Sequence, residues 1–197
     1  ISALHRDPEF GLTSLQNLLN KYANGAKVFD VLHDFQMMNL LDNIVSAKGA
    51  KLTGLDKAAV SSKELKAAVN YTYRGAFASP GAAPNGADYV RLVGPNGPLT
   101  GKQLQSLVFA GAAKGAGDAA VENWMVRLVG IDAKGKNVMV KAYDHAASLT
   151  MSAEDIAAFA RYKTLIAVIT VDDLTAAQTA YVPYALTVNG QLQPGGA

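Results

Sequence analysis

The sequence predicts an α+β protein with an N-terminal helical subdomain over residues 1–77, a linker at 78–87 and, over 88–197, a mixed β-rich half with two short helices. Three observations carry this. From Asp7 to Gly75 the apolar residues recur at steps of three and four, the period of a helix. From Ala87 onward short β-branched runs are separated by Gly, Pro, Asn and Asp, the punctuation of strands and turns. Between them, Ala78-Ser-Pro-Gly-Ala-Ala-Pro-Asn-Gly-Ala87 breaks any helix with two prolines and two glycines.

Within the first half, Leu12, Leu15, Leu18, Leu19 and Tyr22 form one helical stripe, and Asn24-Gly25 is its stop signal. Val28, Val31, Leu32, Phe35, Met38, Leu41 and Val45 form a second, closed by Lys48-Gly49. A third helix is predicted to start at Ser61 or Ser62, with Leu65, Ala68, Val69 and Thr72 on one side.

In the second half, Val-Arg-Leu-Val-Gly occurs twice, at 90–94 and 126–130, each time as a strand running into a turn. Alternation along these copies turns Arg91 and Arg127 away from the valines beside them. Thr100 to Ala113 reads as a helix capped by Thr100, with Leu104, Leu107 and Val108 inward. Further strands are predicted at Asn137–Tyr143, Thr164–Val171 and Tyr181–Asn189. Ser152–Tyr162 reads as a helix with Glu154 and Asp155 in its first turn, where the dipole favours carboxylates.

Composition narrows the function. The 197 residues carry 18 Lys+Arg against 16 Asp+Glu, a balance too even for a dense phosphate-neutralising face, so nucleic acid is not an expected partner. Half the residues are hydrophobic, which is incompatible with disorder throughout. The longest apolar run, Leu165 to Val171, is strand-sized and well short of the roughly 20 residues that cross a bilayer as a helix. Without cysteine there is no thiolate for zinc, iron–sulfur or nucleophilic chemistry. Sparse charge with abundant Ala, Gly, Thr, Asn and Tyr reads as an exported or self-assembling bacterial protein, and Ile1 as lying beyond any initiator methionine or signal peptide.

No set of residues reads as catalytic, no metal site is expected, and no cofactor is expected. His33 and Met37 stand one helical turn apart, the spacing of a haem or copper ligand pair. His33 sits among Asp30, Asp34 and Gln36, however, and is expected on a solvated flank. Asp144 and His145 follow a strand, but neighbouring strand residues face opposite ways and no G-x-S-x-G elbow accompanies them, so Asp144 is assigned to a turn. Asp132 and Asp172-Asp173 are likewise assigned to turns, since calcium-loop spacing is absent. The residues expected to contact a partner are aromatic: Tyr71, Tyr73, Tyr181, Tyr184 and Trp124. Tyrosine and tryptophan combine a broad contact face with a polar tip. Trp124 has a competing assignment to the core, because it shares a strand face with Val126 and Leu128.

Pro98-Leu-Thr-Gly-Lys-Gln-Leu104, Val138-Met-Val-Lys-Ala-Tyr-Asp-His-Ala-Ala-Ser-Leu-Thr-Met-Ser-Ala-Glu-Asp-Ile156, the Leu165–Val171 strand and Tyr181-Val-Pro-Tyr-Ala-Leu186 come in the order of strands and helices in one known domain. Over residues 87–190 the chain resembles the molybdopterin-binding domain of the sulfite-oxidase-like family. The resemblance implies that fold, but the cysteine that holds molybdenum is missing and Asp144-His145-Ala146 stands where the family has Asp-Gly-Tyr, so it implies no catalytic residue here. The expected function is a non-enzymatic exported domain that binds a protein partner or small ligand. The alternative is a structural subunit of a self-assembling particle or filament, a capsid, tube or surface protein, that binds copies of itself.

Overall fold

The computed structural model describes residues 11–41, 86–111, 124–134, 138–144, 147–171 and 184–193. The predicted helix near Ser61, the seam at 78–85 and the Asp172-Asp173 pair lie outside them.

Two helices come first, α1 (Gly11–Tyr22) and α2 (Val28–Leu41). The stop between them is the predicted one: Asn24 and Gly25 both take positive φ, 52° and 75°. The Gly25 amide returns to the Leu19 carbonyl and closes the last turn of α1. Among the described residues ten strands follow: β1 (Ala87–Arg91), β2 (Val93–Gly94), β3 (Gly97–Pro98), β4 (Leu107–Gly111), β5 (Trp124–Ile131), β6 (Val138–Asp144), β7 (Ser148–Thr150), β8 (Thr164–Val171), β9 (Tyr184–Val188) and β10 (Gln191–Leu192). One short helix, α3 (Ala153–Ala158), stands between β7 and β8.

The strands form two antiparallel four-stranded sheets, ordered β1-β8-β5-β6 and β10-β9-β4-β7, and a small β2-β3 hairpin. One core joins the sheets. Val90, Trp124, Val126, Leu128, Leu165, Ala167, Ile169 and Val171 of the first face Leu107, Phe109, Tyr184, Leu186 and Val188 of the second. Phe159 and Tyr162, just past α3, seal one end of that core. Asn189-Gly190, both at positive φ, turns β9 into β10.

The predicted α+β class with its own N-terminal helical subdomain is corrected: among the described residues strands account for 45% and helices 28%, and no N-terminal helical subdomain is evident among them. The reason lies in where α2 buries its side chains. Met37 and Leu40 join Val129, Ile166 and Val168 of the first sheet in a second apolar cluster, so α2 covers a sheet face. Apolar residues occur on nearly every side of α2, and the predicted stripe holds only in part: Val28 is buried as expected. Val31 of the predicted stripe is 44% exposed, while His33, Gln36, Met37 and Leu40 are buried.

Three further expectations are corrected. Thr100–Ala113 is a single 3-10 turn at Gly101–Gln103 followed by β4. Leu107 and Phe109 point inward and Val108 outward, a period of two that helical spacing concealed. The helix predicted to end at Tyr162 stops at Ala158, although Ser152 does cap it by accepting the Asp155 amide. Arg127 does turn away from Val126, as alternation required, yet it meets α2 and is buried.

Candidate functional site

Buried polar groups are the natural place to look for chemistry, and two clusters of them stand out. The first is the interface between α2 and the first sheet. Three adjacent strands each reach one polar group of the helix. From β1, the Tyr89 hydroxyl donates to the Gln36 carbonyl at 2.9 Å. From β8, Thr170 Oγ1 lies 3.1 Å from His33 Nε2. From β5, Arg127 Nη1 lies 3.6 Å from Asp34 Oδ1. Burial pushes the Tyr89 phenol up to about 12, so it stays a donor at physiological pH.

A histidine beside a threonine hydroxyl has the parts of a base and a nucleophile. Both side chains are 2% exposed, however, which leaves no approach for a substrate. The expected solvated flank for His33 is therefore corrected: the imidazole is buried, stacked 6.4 Å from the Phe29 ring, and it pins the helix to the sheet. Sequence gave His33 acidic neighbours but could not say which side of α2 would face the protein.

The second place is the seam between the sheets. Tyr184, the first residue of β9, donates its hydroxyl to Asp88 Oδ2 of β1 at 3.0 Å. Burial raises the Asp88 carboxyl above its ordinary value, and the Tyr184 hydrogen bond opposes that in part. Around Tyr184 stand Trp124, at 5.7 Å between centroids and edge-on, and Phe109, also at 5.7 Å, with Phe109 and Trp124 5.3 Å apart. At these separations the rings touch one another and hold no ligand between them. Trp124 and Tyr184, both expected as partner contacts, are thus core residues at 0% exposure and offer no surface. The other three aromatic candidates, Tyr71, Tyr73 and Tyr181, lie outside the described residues, as does His145.

A third cluster went unnoticed in the sequence because its members are far apart in it. Asp155 of α3 receives Lys141 Nζ at 2.8 Å and the Tyr143 hydroxyl at 2.8 Å, both from β6. The Lys141 hydrogen bond holds the Asp155 carboxyl below its ordinary value. Burial, then Asp155, pushes the Tyr143 phenol well above its ordinary value, so it serves as a donor and not as a base. The cluster ties α3 to the sheet edge. Asp132 takes the predicted turn role, its carboxylate accepting the Lys134 amide at 3.1 Å.

The pairing registers place one more feature. Ala87 faces Thr170, Trp124 faces Val171, Met125 faces Asp144 and Gly111 faces Tyr184. The Gly111 amide meets the Ala147 carbonyl at 2.8 Å, and Tyr184 joins the two sheets through Asp88. The chain therefore enters β1, β5 and β9 and leaves β4, β6 and β8 at one common end. Two of the connections there, between β4 and β5 and between β8 and β9, are twelve residues each.

Among the described residues no group of three or more histidines and carboxylates is placed to hold a metal, and no helix is long and apolar enough to cross a membrane. No family model matches the chain, nor does any curated protein or solved structure. For a molybdopterin-bound molybdenum the donor set does not fit, because the sequence contains no cysteine to supply the thiolate.

Proposed function

We propose that this chain is a non-enzymatic binding domain of an exported bacterial protein, and that it holds a protein partner or small ligand at the common strand end of its two sheets. The carrying observation is the convergence of strand termini there, with twelve-residue connections on that end. A rigid sandwich that presents its longer connections together is the arrangement binding domains use, since a fixed scaffold positions variable contacts. Tyr181 is the aromatic candidate three positions before β9 in the sequence. The buried polar groups His33, Arg127, Thr170 and Tyr184 fit a binding role, because each joins elements of the scaffold. On this reading the resemblance to the sulfite-oxidase-like domain reflects a fold used without its cofactor. The test is a thermal-shift screen with peptides and small metabolites on the wild type and on Tyr181→Ala. Hits that raise the melting temperature of the wild type alone support the assignment. Equal shifts in both proteins remove the strand end from consideration.

A second reading, a structural subunit that associates with its own copies, is favoured by the outer face of the second sheet. Leu192, Thr187, Val108 and Thr150 lie in register across its four strands, with Ala185, Ala110 and Ser148 as the next row. No charged residue stands in either row, and Val108 and Leu192 are 39% and 49% exposed. Depletion of charge is the compositional mark of an interface centre. Mass by light scattering separates the readings: one chain supports the binding domain, a multiple supports the subunit.

A further inference from the structure

The dipeptide Asn-Gly occurs four times, at 24–25, 85–86, 96–97 and 189–190. It is the dipeptide most prone to lose ammonia, because glycine puts no Cβ in the way of its own nitrogen reaching the asparagine side chain. Asn85 lies outside the described residues. The other three asparagines all sit in turns. At none of their glycines does an atom beyond the chain neighbours stand within 4 Å of the place a Cβ would take, so crowding does not separate them. Hydrogen bonding does.

Asn189 is clasped. Its Oδ1 accepts the amides of Gln105 at 2.7 Å and Ser106 at 3.1 Å, and its Nδ2 donates to the Gln103 carbonyl at 2.7 Å. Its own backbone amide donates to the Ser106 carbonyl at 3.0 Å. The side chain is thereby fixed along residues 103–106. Ring closure would carry Cγ onto the Gly190 nitrogen, and all three side-chain bonds oppose that movement. Two N–H donors on one carbonyl oxygen also polarise Cγ, as an oxyanion hole does. Polarisation helps only a nucleophile that reaches the carbon, and the restraint keeps it from arriving, so protection wins.

Asn96 is the opposite case. It is exposed at the tip of the β2–β3 hairpin, and among the described residues no hydrogen bond or ion pair holds its side chain. Gly97 pairs with Gly94, but the hairpin has only two residues on each strand and opens without disturbing either large sheet. Asn24 is exposed too, yet its turn is the stop of α1, where the Leu19 carbonyl holds the Gly25 amide at 3.3 Å. It stands between the other two.

From these contrasts we infer that Asn96 is a modification site, losing its amide spontaneously to water, while the fold holds Asn189 inert. The Gly97 nitrogen attacks Asn96 Cγ: the N–Cγ bond forms, the Cγ–Nδ2 bond breaks, and ammonia leaves with the proton from the Gly97 nitrogen. Water then opens the five-membered imide at either carbonyl, giving aspartate or isoaspartate. Either product puts a carboxylate into residues 93–100, which otherwise carry no charge. The same change at Asn189 would remove the donor to the Gln103 carbonyl and set a carboxylate against it. The reaction is thus steered to the copy whose loss breaks no bond.

The test is incubation of the wild type at about pH 8.5 and 37 °C, with peptide mapping by mass spectrometry to follow each asparagine separately. In the folded protein Asn96 is expected to convert at least tenfold faster than Asn189. In guanidinium chloride, where no clasp exists, the two should convert at similar rates. A folded Asn189 as fast as Asn96 overturns the inference. A tenfold difference that persists in the unfolded chain also overturns it, since flanking residues and not the fold would then set the rates. Gln105→Pro removes one donor of the clasp, and Leu104 before it is already extended, at φ −71° and ψ 118°, as a residue preceding proline must be. This variant should speed Asn189 several-fold and leave Asn96 unchanged. An unchanged Asn189 rate in the folded variant overturns the protective role of the clasp, and the wild-type comparison stands by itself if the variant does not fold.

Discussion

The Tyr184 hydroxyl bridges the two sheets by donating to Asp88 at 3.0 Å, which puts a carboxyl inside the seam at the end where the strands converge. Burial raises the Asp88 carboxyl above its ordinary value, so the folded protein holds that proton to higher pH than the unfolded chain does. Stability linked to this group is full below the unfolded value of 3.8 and is lost as pH rises through the folded one. Asp88→Asn keeps the acceptor for Tyr184 and removes the charge. Its urea midpoint is expected above wild type at pH 7, with the gap closing by pH 3.5, and a gap independent of pH would contradict the assignment.

Tyr184→Phe tests the other half of the pair. It leaves the ring in the aromatic core but takes the donor from a buried carboxylate, at an expected cost of about 1–3 kcal/mol. In Asp88→Asn the same substitution should cost less, because a neutral amide suffers less from losing its donor. Equal costs in the two backgrounds, from a double-mutant cycle in urea, would mean the groups do not interact.

Trp124 is fully buried between Phe109 and Tyr184. Trp124→Ala is expected to cost on the order of 3–5 kcal/mol, as large aromatic deletions do. Chemical unfolding measures it, and an unchanged midpoint would return Trp124 to the surface as a partner contact.

Gly111 lies against the Trp124 indole so closely that a methyl group there would strike the ring. Gly111→Ala is therefore expected to destabilise by about 1–3 kcal/mol, the range for overpacking a filled core. The smaller Trp124→Phe should relieve part of that loss. Additive costs would show that the two residues do not share the space.

Arg127→Met removes the described partner of Asp34 from a buried interface, and an expected loss of about 3 kcal/mol follows. Adding Asp34→Leu should recover most of it, since an apolar pair replaces an ion pair with little penalty. Amide exchange over residues 28–41 reads the outcome, and a double variant no better protected than Arg127→Met would refute it.

Several elements were legible from local pattern alone. Thr164–Val171 was predicted to the residue, because a short, mostly apolar and β-branched run of that length reads as a buried strand. The helix of Leu12 to Tyr22 and its Asn24-Gly25 stop rest on spacing and backbone chirality, both local properties. Trp124 on the face of Val126 and Leu128 needed only strand alternation.

Tertiary structure decided the rest. Alternation turned Arg127 away from Val126, but only the arrival of α2 made that side an interior. His33 is polar in sequence and buried in the fold, because Thr170, 137 positions away, answers it. Asp88 and Tyr184 meet across 96 positions, and Tyr143 meets Asp155 across 12, with β7 between them. Periodicity reports which sides of an element can be buried. Which side is buried depends on what long-range partner stands there, and an apolar helix such as α2 leaves that choice to the sheet that receives it.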